Sequence, residues 1–245
     1  MKINEDFTRR SKIQDIGRWH ITQFVRSVAD SLPPGSAILD AGAGECAYKK
    51  YFTHCEYKSV DSAVGESAWN YTNLDYVAPL DKLPIRDGSF DAVLCTQVLE
   101  HLEWPRECVK EMSRVLKPGG KLYLTAPMAQ SEHQEPYDFF RYTSFGLRSI
   151  CDQAGLEQME IRPFGGLCTR WAYELPRAMQ FFAGTGLRGG TVRLAGFALL
   201  PLRALVFVMI RSAQTLLLWL DRFDKTRNDP FGWSITASKR YRQTL

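Results

Sequence analysis

Asp40 to Gly44, with the sequence Asp-Ala-Gly-Ala-Gly, form a glycine-rich segment between a short apolar run and a helical pattern. Two glycines one residue apart let the backbone turn sharply and approach a ligand without a Cβ in the way. Asp61 ends the next strand-like run about twenty residues later, where a carboxylate accepts the two hydroxyls of a ribose. Because a Gly-x-Gly pair is common in ordinary turns, the two aspartates carry most of the signal, and they predict a site for a ribose-containing ligand.

A second candidate site is the segment 128–143, which is dense in aromatic and polar side chains. Loops of this composition at a strand end tend to be functional. His133 lies in this segment and is a candidate general base, because the pKa of an imidazole lies near neutrality; a solvent-facing loop histidine is the competing interpretation. His101, which follows Glu100, is the second candidate base. Arg141 either orients a bound molecule or pairs with Asp138.

Three further segments extend the pattern beyond the glycine loop. They are Leu83–Leu94 (LPIRDGSFDAVL), Val98–Leu102 (VLEHL) and Arg114–Gly120 (RVLKPGG). Together with the glycine loop, their order and spacing resemble the class I S-adenosylmethionine-dependent methyltransferases over residues 36–126. The resemblance implies an α/β fold with a Rossmann-like, mostly parallel seven-stranded sheet, an antiparallel last strand and a helical insertion between the last two strands.

The resemblance also implies the cofactor site, with S-adenosylmethionine as the cofactor. No metal is expected, because the six cysteines do not cluster with histidines. Asp40 is expected to contact the amino-acid end of the cofactor, directly or through water, and Asp61 to accept the ribose hydroxyls. The backbone of Ala41, Gly42 and Gly44 is expected to pass beneath the cofactor. Four more expected contacts lie before the fourth strand and at its carboxyl end: Leu80, Asp81, Thr96 and Gln97.

Two positions depart from the family pattern. Cys46 stands where a third glycine is usual, so the turn has to tolerate a side chain there. Pro79 stands where many relatives have an acid that contacts the adenine amino group, and the neighbouring Leu80 and Asp81 are therefore the candidates for that contact. The family places the methyl acceptor beside the 128–143 loop, while the position of His101 more often shapes the methionine end of the cofactor. Four loop residues are candidates for acceptor binding: Tyr137, Asp138, Arg141 and Tyr142.

Alternating apolar runs and helical patterns predict the elements that position these residues. A leading helix is predicted from Ile13 to Leu32, and a helix beginning at Pro105 follows the fourth strand. Thr143 is predicted to cap a later helix that buries Phe145 and Leu147. Strands are predicted at 36–41, 57–61, 74–77, 91–96, 121–126 and 157–162, and by the resemblance the last one lies at 232–238.

The composition is that of a folded protein, with 45% apolar and 24% charged residues among 245. The net charge of +4 does not suggest a nucleic-acid partner. Six cysteines without Cys-x-x-Cys pairs are expected to be mostly buried thiols in a reducing compartment. The polar N-terminus predicts no secretory signal, and no uncharged apolar run reaches the roughly 18 residues of a spanning helix. We therefore expect a cytoplasmic protein.

Residues 165–230 are predicted to form a helical, apolar, arginine-rich insertion, with 1–164 and 231–245 as the methyltransferase domain. Seven arginines stand against two acidic residues between 170 and 222, a net charge of +5. On a helical wheel that starts at Arg193, polar side chains occupy about a third of the circumference. This face suits a membrane surface, a homodimer interface or a lid, and residues 191–222 are the expected peripheral contact with the inner face of a membrane. A spanning helix is disfavoured because Arg203 and Arg211 would enter the hydrocarbon.

The residues therefore predict an S-adenosylmethionine-dependent methyltransferase that acts on a small or amphiphilic acceptor. Transfer to oxygen of a membrane-proximal or lipid-linked molecule is the expected reaction. A nicotinamide-dependent oxidoreductase is disfavoured, because its third glycine is absent and Asp40 is present. The non-enzyme alternative is a cofactor-binding module without catalysis, recruited to a membrane or a partner by the helical insertion.

Overall fold

The structure is a computed structural model that describes residues 15–65, 69–177, 179 and 200–241. Its described residues fall into two compact units. The sheet unit contains residues 21–163 and those from Gly232 onward, and the helical unit contains residues up to His20 together with 164–231. These divisions lie close to the predicted insertion at 165–230, with the N-terminal residues added to it.

From residue 90 onward, strands and helices alternate as predicted. The helix predicted after the glycine loop is instead a three-residue 3₁₀ turn at Lys49–Tyr51. The helices are α1 (Ile16–Ser31), α2 (Pro105–Val115), α3 (Ser144–Gln153), α4 (Leu167–Glu174) and α5 (Leu200–Leu220). The strands are β1 (Ala37–Ala41), β2 (Glu56–Asp61), β3 (Tyr76–Val77), β4 (Phe90–Thr96), β5 (Leu116–Pro127), β6 (Leu156–Pro163) and β7 (Gly232–Lys239).

The seven strands form one sheet in the order β3-β2-β1-β4-β5-β7-β6. Strands β1 to β5 pair in parallel, and β7 lies antiparallel between β5 and β6. The predicted fold is therefore confirmed, including the antiparallel last strand. Because the parallel strands end at one edge, Asp40 near the end of β1, Asp61 at the end of β2 and Thr96 at the end of β4 come to that edge.

The core explains why the central strands read as continuous apolar runs. Strands β1 and β4 are covered on both faces, and Ile38, Leu39 and Val93 have no exposed surface. Helix α2 begins with Pro105 in its first turn, as predicted, and buries Val109 and Met112 completely. The sheet edge that carries the candidate ligand-binding residues therefore rests on a rigid, fully packed base.

Two predictions about the later elements were wrong. Strand β5 begins at Leu116 rather than at residue 121, because Leu116 pairs with Phe90 across a register shift and draws the following Pro-Gly-Gly into the strand. Phe145 is 81% exposed, although Leu147 is buried as predicted. At about 100° per residue the two side chains point to opposite sides of α3. The Thr143 cap is confirmed, since its Oγ1 accepts the Gly146 N–H at 3.1 Å.

The helical unit is organised around the buried carboxylate of Asp221. It accepts the backbone N–H groups of Gly166 (3.1 Å) and Thr169 (2.8 Å) and pairs with Arg227. These bonds satisfy donors that the first turn of α4 leaves unpaired. Gln214 of α5, also buried, donates to the carbonyl of Ala172 at 2.8 Å and joins α5 to α4. The start of the predicted wheel, at Arg193, lies outside the described residues.

Candidate active site

The glycine loop after β1 has the tight geometry that its sequence predicts. Gly42 (φ +81°) and Gly44 (φ +51°) lie in the left-handed region. A Cβ on Gly42 would lie 2.4 Å from a methyl group of Val98, so a side chain there has no room. Cys46 also has a positive φ, and its side chain is buried, so the turn accepts the cysteine that replaces the usual third glycine.

Asp40 is a carboxyl group held in a dry environment. It is 1% exposed, and its Oδ2 accepts the hydroxyl of Tyr57 at 2.6 Å. The pKa of Asp40 is raised to about 7, mainly by burial. The hydrogen bond from Tyr57 lowers this pKa, and the nearby charge of Asp61 raises it. A buried anion beside the glycine loop is suited to a cationic group such as the ammonium of a bound amino acid. The residues therefore fit the amino-acid end of S-adenosylmethionine.

Asp61 binds the glycine loop through one carboxylate oxygen and the turn after β2 through the other. Its Oδ2 accepts the N–H of Gly44 and its Oδ1 the N–H of Ala63, each at 2.9 Å. Each oxygen has a second lone pair, so the carboxylate retains the capacity to accept two hydroxyls. This arrangement fits a ribose diol, as the sequence predicts.

Sequence reasoning missed the aromatic residues near the loop. The Trp69 ring lies 3.6 Å from the position that a Cβ of Gly44 would take, and it contacts the Tyr71 ring at a centroid distance of 6.2 Å. The sequence feature that could have identified them is the presence of two aromatic residues, Trp69 and Tyr71, in an otherwise polar segment shortly after β2. We add Trp69 to the candidate cofactor-contacting residues, because a flat aromatic surface beside the loop suits a nucleoside.

The four additional cofactor candidates lie in different environments. Leu80 is buried in the core of the sheet unit, and the adjacent Asp81 is exposed. Thr96 is half-buried at the end of β4. Gln97 has φ +53° and donates through its side-chain amide to Thr125 Oγ1 at 3.1 Å. A non-glycine residue in this conformation at the ligand edge is a frequent feature of functional sites. Their roles in binding stay predictions.

The loop after β5 is organised by an ion pair between Asp138 and Arg141. The two guanidinium nitrogens of Arg141 lie 2.7 and 2.8 Å from the two oxygens of Asp138, and Arg141 also donates to the carbonyls of Gln130 and Ser131. The hydrogen bonds from Arg141 lower the pKa of Asp138 to about 2. Of the two interpretations of Arg141, pairing is therefore the one that the structure displays, and Asp138 and Arg141 shape the loop.

The two tyrosines of this loop differ in accessibility. Tyr142 is 6% exposed, and its hydroxyl donates to the carbonyl of Leu99 at 2.8 Å, so this group supports the fold. Tyr137 is 45% exposed and leaves its ring accessible to an acceptor. The assignment of both residues to acceptor binding stays a prediction.

The structure brings the two candidate bases together, although they are distant in the sequence. The rings of His101 and His133 make an edge contact at a centroid distance of 4.7 Å. Burial lowers the pKa of His101, which favours the neutral imidazole. Glu100 lies directly beside them, fully buried, and burial raises its pKa to about 8. Sequence reasoning gave Glu100 no role of its own. The sequence feature that could have identified it is an acidic residue within the apolar segment Val98–Leu102.

Comparison with known proteins agrees with this geometry. Residues 39–124 match a family described as a methyltransferase domain. The chain is 32% identical over 120 residues to a tRNA (carboxymethyluridine(34)-5-O)-methyltransferase of Arabidopsis thaliana, a match that covers 44% of this chain and 28% of that protein. It is 25% identical over 218 residues to a 2-methyl-6-phytyl-1,4-hydroquinone methyltransferase of Synechocystis sp., covering 83% of this chain and 58% of that one. The chain thus spans less than two thirds of either relative.

Solved structures give the same fold. The chain superposes on the crystal structure of an S-adenosylmethionine-dependent methyltransferase from Archaeoglobus fulgidus with a TM-score of 0.57 and 15% identity, over 96% of this chain and 100% of that one. The sheet order, the glycine loop with its two aspartates and the matched domain point to one conclusion. The chain contains a methyltransferase domain over residues 39–124 and has the fold of the class I methyltransferases, which supports S-adenosylmethionine as its cofactor.

Proposed function

We propose that this protein transfers a methyl group from S-adenosylmethionine to an oxygen of an amphiphilic acceptor near a membrane. The observation that carries the proposal is the arrangement at one sheet edge, where Asp40 and Asp61 lie beside the glycine loop. His101 follows β4, His133 follows β5, and their rings are in contact. The bound cofactor supplies a methyl group on a positively charged sulfur. The protein's own residues hold the two ends of the cofactor and present polar groups to the acceptor.

The apolar character of the acceptor is inferred from helix α5. Its exposed side chains include a stripe at spacings of three and four residues, which would be costly to leave in water. The stripe consists of Leu202, Leu205 and Met209 and continues seven residues later with Leu216 and Trp219. Phe223, in the turn after α5, extends it, and Phe207 and Val208 widen it. One named relative, the hydroquinone methyltransferase, acts on a molecule with a phytyl chain, which supports a lipid-soluble acceptor.

We assign the exposed face of α5 to an anionic membrane surface. Arg211 lies over the ring of Phe207 at 5.2 Å, and Arg222 over that of Trp219 at 4.4 Å, so both guanidinium groups flank the apolar face. Apolar side chains bordered by arginines bind a lipid surface through burial and through attraction to anionic headgroups. The charge of the face therefore supports a membrane rather than a second copy of the chain as the occupant.

Length and composition also qualify this helix as a span. Pro201–Phe223 has 23 residues and a mean hydropathy of 1.5, and 17% of its apolar window is buried. By length and composition alone, this segment could cross a membrane. We nevertheless propose a peripheral position, because a span would place Arg203 and Arg211 in the hydrocarbon. Gln214 and Asp221 also bind the backbone of α4 and its preceding turn, which keeps one face of this region on protein.

Vesicle flotation tests the membrane contact. The protein should float with vesicles that contain anionic lipid, and replacement of Arg203, Arg211 and Arg222 by Gln should reduce flotation with anionic vesicles more than with neutral ones. Salt should weaken the arginine contribution and leave the apolar one. Phe145→Ser, which alters an exposed aromatic residue of the sheet unit, is the matched control and should float normally. A wild-type protein that stays soluble at low salt and runs as a dimer would assign the face to a subunit interface.

A second acceptor class is favoured by one relative, which is a tRNA methyltransferase. A methyl-transfer assay with labelled cofactor separates the two classes. We expect label to enter the lipid extract of a membrane fraction and not its RNA, and label confined to RNA would replace the amphiphilic acceptor. Binding of the cofactor with no transfer to either fraction would support the non-catalytic module.

A further inference from the structure

Glu100 is a buried carboxyl group without a hydrogen-bonding partner. Its side chain is fully buried, and among the described residues neither carboxylate oxygen has a hydrogen bond. Leaving such a group unpaired is costly, and nearly all buried polar side chains in folded proteins are satisfied. An unpaired carboxyl in a dry position is therefore a strong indication of a ligand.

His101 presents an unprotonated nitrogen toward this carboxyl. Its Nδ1 lies against the carbonyl oxygen of Tyr137, and because a carbonyl only accepts, Nδ1 carries the proton. The lone pair is then on Nε2, which lies 3.9 Å from Oε1 of Glu100. This distance is too long for a hydrogen bond. It is somewhat longer than the separation of two atoms that bind one ion, so a small inward movement of the side chains would let both atoms reach the same ion.

His133 repeats this arrangement from a different loop. Its Nδ1 lies 3.1 Å from the carbonyl of Ser131 and 3.4 Å from Oδ2 of Asp138, so the proton is again on Nδ1 and the lone pair on Nε2. A histidine that donates one ring N–H to a carbonyl or carboxylate and offers the other nitrogen is the usual form of a metal ligand. One ligand atom each from Glu100, His101 and His133 lies within 4.8 Å of the others.

The backbone holds the two loops in register. The carbonyl of Glu100 accepts the N–H of Phe139 at 2.8 Å, and the backbone N–H of His133 donates to Asp138, itself held by Arg141. The ligands therefore stand on a braced pair of loops rather than on a mobile segment. In a tetrahedral site neighbouring ligand atoms lie about 3.3 Å apart at bonds of 2.0–2.1 Å, so an ion requires inward side-chain movements of about an ångström.

We propose that Glu100, His101 and His133 form a binding site for a divalent transition-metal ion. Two imidazoles and one carboxylate are the donor set preferred by Zn²⁺ and its first-row neighbours, and three protein ligands leave positions open for an exogenous molecule. This replaces the expectation of no metal. If the proposed function holds, an acceptor hydroxyl takes an open position, and the ion lowers the pKa of that hydroxyl so that its proton leaves to solvent.

Metal titration of the tag-free protein tests the site directly. Zn²⁺ should bind with a stoichiometry of one by calorimetry, and Co²⁺ should give the visible absorption of a histidine-bound ion. Glu100→Gln should weaken binding about 10-fold or more, and His101→Ala and His133→Ala should each remove the Co²⁺ signal. His54→Ala is the matched control and should bind as the wild type, because His54 contacts the carbonyls of Ala29 and Leu32 outside the cluster.

Two controls separate this proposal from folding defects and from the proposed function. Each variant should retain the affinity for S-adenosylhomocysteine, which shows that the sheet unit is intact and does not depend on the metal. No Co²⁺ signal in the wild type, or a signal that survives all three ligand substitutions, would overturn the site. Full turnover of chelator-treated protein, combined with loss of turnover in His133→Ala, would also overturn it and return the histidines to direct proton transfer.

Discussion

Asp40→Asn should stabilise the unliganded protein and at the same time weaken its binding of the cofactor. The pKa of Asp40 rises from its ordinary value of 3.8 to about 7 in the folded protein. A group with a raised folded-state pKa stabilises the fold while it is protonated, fully below pH 3.8, and this contribution is lost as the pH rises to 7. Asparagine is neutral at every pH, like the protonated carboxyl, so the variant does not lose stability as the pH rises.

The effect on stability has a predictable size. One pKa unit corresponds to about 1.4 kcal/mol, so the advantage of the variant should be about 2 kcal/mol larger near pH 8.5 than near pH 5.5. Thermal unfolding at the two pH values measures it as a difference of several degrees in Tm. Equal stabilisation at both values would show that Asp40 is not titrating in this range.

Cofactor affinity should change in the opposite direction. The ionised carboxyl of Asp40 is expected to receive the cofactor's ammonium, so wild-type affinity should fall below pH 7. Asp40→Asn should lose about 10–100-fold in affinity at pH 8.5 through lost charge-assisted hydrogen bonds. Tyr57→Phe removes the hydroxyl that donates to Asp40 at 2.6 Å and should move the pH midpoint of binding upward. If the pH midpoint of cofactor binding is the same in Tyr57→Phe as in the wild type, Asp40 is not the titrating group.

Asp61→Ala should weaken binding of S-adenosylmethionine by roughly 1 to 3 kcal/mol, or about 10–100-fold. The carboxylate is expected to accept the ribose hydroxyls while it holds the N–H groups of Gly44 and Ala63. Calorimetric titration with the cofactor and with an analogue that lacks the ribose hydroxyls distinguishes the two roles. If Asp61 binds the ribose, the substitution costs little for the analogue. Equal losses for both ligands would show that Asp61 acts only by shaping the glycine loop.

The sequence was sufficient for the sheet and for the placement of Asp40 and Asp61 because both depend on local patterns. The apolar runs of β1 and β4 and the glycines at 42 and 44 specify strand and turn without knowledge of distant contacts. The helical pattern after the loop was misleading, because the chain forms only a 3₁₀ turn at Lys49–Tyr51. Asp40 and Asp61 end neighbouring strands, so parallel topology alone brings them to one edge. The start of β5 was misplaced because its pairing with Phe90 depends on a register that no local pattern encodes.

The acceptor side depends on contacts that sequence spacing does not reveal. Glu100 and His133 are far apart in the chain, and only the packing of the loop after β5 onto the turn after β4 places them together. Likewise, the pairing of Asp138 with Arg141 was one of two open interpretations until the structure showed the bonds. The exposed stripe of α5 was visible as periodicity, while the buried anchor at Gln214 appeared only with α4 in place.

Calorimetric titration of the wild-type protein with S-adenosylhomocysteine, the demethylated cofactor, tests the central claim most directly. The account predicts saturable binding with a stoichiometry of one, stronger near pH 8.5 than near pH 5.5, and no comparable binding of a nicotinamide dinucleotide. Absence of binding to S-adenosylhomocysteine, or preference for the nicotinamide dinucleotide, would contradict the assignment of Asp40, the glycine loop and Asp61 to this cofactor.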